Sequence, residues 1–183
     1  MTVVNLLKKY YPPSGTSFPI LFRHSTLVAK KAAGIAGSLA QKEDIDIAFV
    51  EEAALLHDIG ILHTDTPDLG CRGALPYLCH GLKGREILEG EGLPRHGLVC
   101  ERHIGIGLSA VDIRSRNLPL PQRDMLPITL EEQIVTYADL FFSKNPAKIG
   151  RERTPDEVRT GLARFGADKV EVFDGWHGRF GGP

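Results

Sequence analysis

Residues 55–60 read Leu-Leu-His-Asp-Ile-Gly. His57 and Asp58 set an imidazole beside a carboxylate inside an apolar run, where packing alone would favour leucine or valine. Burying a carboxylate without a partner is costly, so the pair demands a cation, a metal or a dense set of donors. The stretch that precedes it, from Ile47, has helical character, with Asp46 as its cap, and predicts a helix to about Ile61. His57 and Asp58 follow Ala53 and Ala54 by one turn and so point inward with them.

The same pattern recurs along the chain. The apolar positions 20, 21, 27, 28, 32, 35, 36 and 39 form one stripe of a long amphipathic helix, and His24 lies on it between Ile20 and Val28. A helix is predicted from Leu78 to Leu88, ended by Gly90-Glu91-Gly92. His80, four before Gly84 and seven before Ile87, lies on its packing side. Pro94 opens the next helix, which reaches about Ile104 and places His103 near its end. Thr129-Leu-Glu-Glu132 and Thr154-Pro-Asp-Glu157 are capping boxes, opening helices to about Ser143 and Phe165. Asp139 follows Val135 by four on the first of these. A last short helix is expected over Lys169 to Trp176, with the glycine-rich end, Gly175 to Pro183, as a frayed tail. No strongly alternating strand and no repeat is visible. His63–Pro76 and Gly107–Ile128 read as irregular, as surface connections or substrate-covering loops.

Six polar residues on five helices thus face inward: His24, His57, Asp58, His80, His103 and Asp139. One inward histidine is ordinarily a hydrogen-bonded core residue. Two carboxylates are harder to explain, because no Lys or Arg falls within one turn of either on the same stripe. A metal cluster is the least costly account. Imidazole and carboxylate suit iron or manganese, with zinc, nickel or cobalt also compatible, and a bridging carboxylate suits two ions.

The composition sets the frame. The chain has 183 residues, 42% apolar and 25% charged, with a formal net charge of −1. A charge near zero gives no reason to expect general nucleic-acid or membrane binding. The N-terminal stretch has no signal-peptide pattern. Three cysteines (Cys71, Cys79 and Cys100) without a CxxC pair suggest free thiols and a cytoplasmic protein. Cys79 and Cys100 read as small core residues, His63 and His177 as structural or surface, and His96 as supporting or exposed. Lys83, three after His80, and Arg102, next to His103, are candidates for binding a substrate phosphate, with Arg23, Arg114 and Arg116 as fainter ones.

The order His24, His57-Asp58, His80, His103, Asp139 resembles that of the HD-domain superfamily of metal-dependent phosphohydrolases. Leu-Leu-His-Asp-Ile-Gly looks like the signature of its HDIG subgroup, and HGLKGREIL, ERHIGIGL and VTYADL resemble the segments carrying its later ligands. The resemblance covers about residues 20–145. It implies an all-α bundle, one HD domain over 1–183, with the metals at its centre and C-terminal helices over about 154–177. Two histidines between the pair and the final aspartate are similar to the two-metal kind. By that likeness His24, His57 and Asp139 bind one ion, His80 and His103 the other, and Asp58 bridges. The implied activity is hydrolysis of a nucleotide or other small phosphate ester or anhydride by a water activated between the ions, with Asp58 catalytic as the bridge; Lys83 joins it as a catalytic candidate on its spacing from His80 alone. Self-association is left open. Ile61 stands where HD-GYP phosphodiesterases carry Lys, and no GYP follows, so that activity is set aside. The loop YYPPSGTSF has two tyrosines but lacks the Glu of the aminophosphonate-cleaving di-iron oxygenases. An O2-dependent di-iron oxygenase and a non-catalytic nucleotide sensor remain as alternatives.

Overall fold

A computed structural model describes residues 2–181; Met1, Gly182 and Pro183 lie outside it. The chain is an all-α bundle. Among the described residues, in order, are α1 (Val3–Tyr10), α2 (Ser17–Leu39), α3 (Ile47–Leu56), strands β1 (Asp65–Thr66) and β2 (Cys71–Arg72), α4 (His80–Gly90), α5 (Pro94–Arg102), α6 (Ala110–Ser115), α7 (Leu130–Asp139), α8 (Pro155–Ala163) and α9 (Ala167–Phe180). None of these helices is long and apolar enough to cross a membrane.

The capping signals are realised as bonds. Asp46 accepts from the Phe49 amide at 3.0 Å at the start of α3. Thr129 and Thr154 each form a complete capping box with the glutamate three residues on. Pro94 occupies the first turn of α5.

Two larger apolar clusters result. One joins α2, α3, α7 and α9 through Val28, Ala32, Val50, Ala53, Ile134 and Phe173. The other joins α1, α2, α4 and the end of α3 through Leu6, Leu21, Leu56, Ile61 and Leu88. His24 lies in sequence between Leu21 and Val28, and His57 follows Leu56. The inward polar residues therefore sit at the seam between the two clusters.

Several expectations are corrected. The helix from Ile47 does not run to Ile61. It stops at Leu56, and a 3-10 turn follows from Ile59 to His63, so His57 and Asp58 occupy the break. Helix α7 ends at Asp139 rather than near Ser143. The segment 63–76 holds the small antiparallel ladder of β1 and β2, and 107–128 holds α6. The glycine-rich end is helical through Phe180, whose buried ring packs edge-on against Tyr137. Helix α1 escaped notice because it is short. Its neighbour Tyr11 is buried, and its hydroxyl donates to Ile59 O at 2.9 Å and accepts from the Leu62 amide at 2.6 Å. The phenol pins the 3-10 turn that follows Asp58.

Glycine makes the close approach of three segments possible. A β-carbon on Gly60 would lie 2.1 Å from the His80 carbonyl oxygen and 2.3 Å from the Gly84 nitrogen. One on Gly84 would meet the Cys100 side chain at 3.0 Å. The backbones beside Asp58, His80 and His103 can therefore touch only because these positions have no side chain.

Candidate metal centre

The structure brings the six inward residues together. His24 comes from the middle of α2 and Asp139 from the last residue of α7. His57 closes α3, His80 opens α4 and His103 follows α5. The four histidines and Asp58 are buried, and the Asp139 side chain is 15% exposed.

Three of the imidazoles are fixed in the same way. Nδ1 of His57 lies 2.7 Å from Ala54 O, that of His80 2.6 Å from Tyr77 O, and that of His103 2.8 Å from Cys100 O. A carbonyl only accepts, so each Nδ1 carries the proton and donates. In the neutral ring this leaves the Nε2 lone pair aimed at the centre, the form a metal ligand requires.

The donor atoms fall into two overlapping groups. His24 Nε2 lies 3.3 Å from His57 Nε2 and 3.0 Å from Asp139 Oδ1, and His57 Nε2 lies 3.4 Å from that oxygen. Asp58 Oδ2 closes this group at 3.3 Å from His24 and 3.1 Å from His57. On the other side, His80 and His103 hold their Nε2 atoms 3.2 Å apart, each 3.5 Å from Asp58 Oδ1. Donors about 2.1 Å from a shared ion stand roughly 3.0–3.4 Å from one another, so both spacings suit a metal. The donors of His57, Asp58 and His103 also converge within 4.8 Å, which links the two groups. Both Asp58 oxygens and His24 Nδ1 are buried without a hydrogen bond of good geometry. Residues so arranged fit metal ions, and the cluster is capable of holding one.

One member of the site was not legible in the sequence. Lys144 Nζ lies 2.9 Å from Asp58 Oδ2 and 3.5 Å from Asp139 Oδ1, with its side chain 13% exposed. No Lys or Arg shares a helical stripe with either carboxylate within one turn, yet the fold supplies a cation from beyond α7. Lys144 comes five residues after Asp139, past the end of α7, where helical spacing no longer says which way a side chain points.

The charges respond to this company. Burial alone would raise the carboxylate pKa values, but His57 and Lys144 hold Asp58 well below the usual range, and Lys144, His24 and His57 do the same for Asp139. Burial opposes the charge on Lys144, yet Asp139 and Asp58 raise its pKa well above the ordinary value. Burial also disfavours protonated His57, but Asp58 and Asp139 outweigh it and lift its pKa to about 10. For His80 burial wins, aided by His103 and Lys144, and its pKa falls to about 3.

The centre opens on a cleft of about 820 Å³, lined by Asp65, Thr66, Tyr77, Asp139, Lys144 and Arg153 among others. Tyr77 stands over the His80 ring at 4.5 Å between centroids. The remaining candidates lie elsewhere. Lys83 is paired with Glu86 at 2.6 Å and does not line the cleft. Arg102 grips Glu132 at 2.8 and 3.0 Å. Arg23 packs by Gly150, and Arg116 lies over the Phe165 ring. His96 is buried against Glu52 and Phe49, His177 meets the Tyr137 hydroxyl, and His63 is exposed. The three cysteines are buried free thiols.

Known proteins are similar to this chain in sequence or in fold. An uncharacterized protein of Methanocaldococcus jannaschii is 36% identical over 129 residues, 69% of each chain. The tRNA (cytidine(56)-2'-O)-methyltransferases of Thermoplasma volcanium and Picrophilus torridus are 34% and 33% identical over 115 and 125 residues. These stretches are 62% and 68% of this chain but only 30% and 32% of those proteins. The HD domain of the L. monocytogenes phosphodiesterase PgpH shares the fold, with a TM-score of 0.54 at 16% identity over 91% of this chain and 92% of that one. A second structure of that domain, in complex with cyclic-di-AMP, matches equally well. The HD domain family matches residues 21–142, a span that holds all six inward donors, and this chain belongs to that family.

Proposed function

We propose that this protein is a metal-dependent phosphohydrolase of the HDIG subgroup, with a dinuclear centre, acting on a nucleotide or another small phosphate ester or anhydride. In this reading the whole chain forms one HD unit. The observation that carries it is the division of Asp58: one carboxylate oxygen faces His24 and His57, and the other faces His80 and His103. A residue so placed serves as a bridge. His24, His57 and Asp139 would hold one ion and His80 and His103 the second. Iron and manganese suit the donor set best. Bound ions would supply Lewis acidity and lower the pKa of water.

The chain's own part is to orient and to exclude. The Nδ1–carbonyl bonds fix the three imidazoles before an ion arrives, so little reorganisation is needed. The cleft admits solvent and substrate to the side of Asp139 and Lys144. PgpH is named a phosphodiesterase and takes cyclic-di-AMP, which supports a nucleotide-sized phosphate ligand for this fold. The methyltransferase names carry less, since the shared stretch is under a third of those proteins' length. Buried free thiols accord with a cytoplasmic location.

The test is metal analysis of protein purified without oxygen, joined to a screen for phosphate release from nucleotides. About two ions per chain and turnover with redox-inert ions are expected. Turnover confined to iron and dependent on O2 would replace the reading with an oxygenase, and tight nucleotide binding without turnover with a sensor. Lys83→Ala completes the screen. A raised KM with unchanged metal content assigns Lys83 to the substrate; unchanged kinetics leaves it in its pair with Glu86.

Metal uptake should also release a proton. His57, with its pKa near 10, is protonated at neutral pH, and an ion needs its bare Nε2. Affinity at this half of the centre should therefore rise with pH until His57 titrates, whereas His80, at about 3, has no proton to shed. Calorimetry of manganese binding in buffers of different ionisation heat measures the count. Binding enthalpies independent of buffer would show that His57 is already neutral.

A further inference from the structure

Lys144 stands where a bound metal ion would compete with it for the same two carboxylates. Its ammonium is 2.9 Å from Asp58 Oδ2, the oxygen that also lies 3.3 Å from His24 and 3.1 Å from His57. It reaches Asp139 Oδ1 as well, the oxygen 3.0 Å from His24. Two of the four donors that would surround one ion are thus also the partners of Lys144. A divalent ion sharing them would face the ammonium at only a few ångströms, in a setting where burial weakens screening.

A polar cleft adjoins the side chain. Lys144 lies on an irregular segment just beyond α7, between Ser143 and Asn145, and it lines the cleft together with Asp65, Thr66 and Asp68. The base of this segment is fixed. Phe142 bridges to Glu152, and the Arg153 amide donates to Phe141 O at 2.8 Å. The lysine can therefore swing on its four-carbon stem while the backbone around it stays closed. Once turned, its ammonium stands at the mouth of the centre, on the side from which a substrate must enter.

We propose that Lys144 is an internal cation with two positions. Without metal it neutralises Asp58 and Asp139; with metal bound it turns into the cleft and holds the anionic group of the substrate, a phosphate or a chemically similar oxyanion. This rests on the metal-centre reading above and adds to it a substrate-binding residue outside the six donors. The sequence pointed to Lys83 for this task by its place three residues after His80. The geometry assigns it to Lys144, since Lys83 faces Glu86 and the cleft lining omits it.

The test follows the lysine itself and does not require turnover. The intact protein, stripped of metal or loaded with manganese, is treated briefly with an amine-acetylating reagent and read by mass spectrometry. Lys83 and Lys31, both in surface pairs, serve as internal references. Lys144 should react at least ~10-fold faster in the loaded protein, and inorganic phosphate should protect it there. Equal reactivity in the two forms, with manganese measured as bound, would overturn the two-position proposal and leave the metal centre standing. Failure of manganese to bind at all would overturn both. A Lys144→Met variant, held folded by manganese, adds an opposed pair of shifts. Its manganese affinity should rise about 10-fold, because a competing cation is gone. Its affinity for inorganic phosphate should fall about 10-fold, because a charge-assisted bond is gone. A lysine that only neutralised the core would move the first of these and leave the second unchanged, and that result would also sink the proposal.

Discussion

Asp58→Ala should empty the whole centre. In the proposed centre each histidine would serve one half, but the two oxygens of Asp58 face both, so its loss would remove a donor from each half and the one negative charge they share. Metal content after dialysis should fall from about two ions per chain to well under one, and added metal should not restore it. His80→Ala gives the contrast, since it should retain the ion held by His24, His57 and Asp139. Asp58→Asn is intermediate, because it preserves shape but removes the charge that balances the cations. The alanine variant also deprives the Lys144 ammonium of its nearer carboxylate, a loss that costs on the order of 3 kcal/mol where a buried pair is broken. Elemental analysis with thermal unfolding separates the two effects. Retention of both ions at wild-type affinity would show that Asp58 is not the bridge.

Gly60→Ala is expected to be as damaging without touching a single donor. Its new methyl group would meet backbone atoms of α4, the His80 carbonyl oxygen at 2.1 Å and the Gly84 nitrogen at 2.3 Å, and neither can rotate away. Helix α4 must move bodily. Overpacking of this kind costs roughly 1–3 kcal/mol, and rigid backbone neighbours place this case at the upper end. For a chain of this size that is a fall in Tm of roughly 6–12 °C. His80 moves with its helix, so the ion between His80 and His103 should be lost before the other. Gly37→Ala is the control, since a β-carbon there meets nothing within 4 Å and alanine favours the helix. An unchanged Tm and intact metal content in Gly60→Ala would mean that the approach of α4 is looser than its geometry states.

These two residues show what the sequence could and could not disclose. Helical periodicity located α2, α4, α5 and α7 to within a few residues, because each buries one stripe, and the inward polar residues stood out against those stripes. The break between His57 and Ile59 was hidden. Leu56, Ile59 and Ile61 are all buried, and an apolar run reads the same whether it continues as a helix or tightens into a 3-10 turn. Helix α6 was hidden by its length and by the prolines that follow it. Lys144 was hidden for a different reason. It reaches Asp58 across the fold, from a segment with no period, and only tertiary structure sets that contact. The importance of Gly60 was likewise invisible, since an alanine there would have suited the local pattern equally well.

The seating of five of the six donors at helix ends, on segments scattered along the chain, has a consequence for how the chain reaches its native state. His24 and Asp139 lie far apart along the polypeptide, and the other four donors fall between them on three segments, His57 and Asp58 sharing one. In the proposed centre the bound ions would together act on the chain as a reversible cross-link: they would close several loops at once and remove from the unfolded ensemble the conformations in which those loops are open. Chelation is then equivalent to cutting that cross-link. The protein stripped of metal should unfold at lower denaturant concentration, by an amount that grows with the free metal concentration used for the comparison.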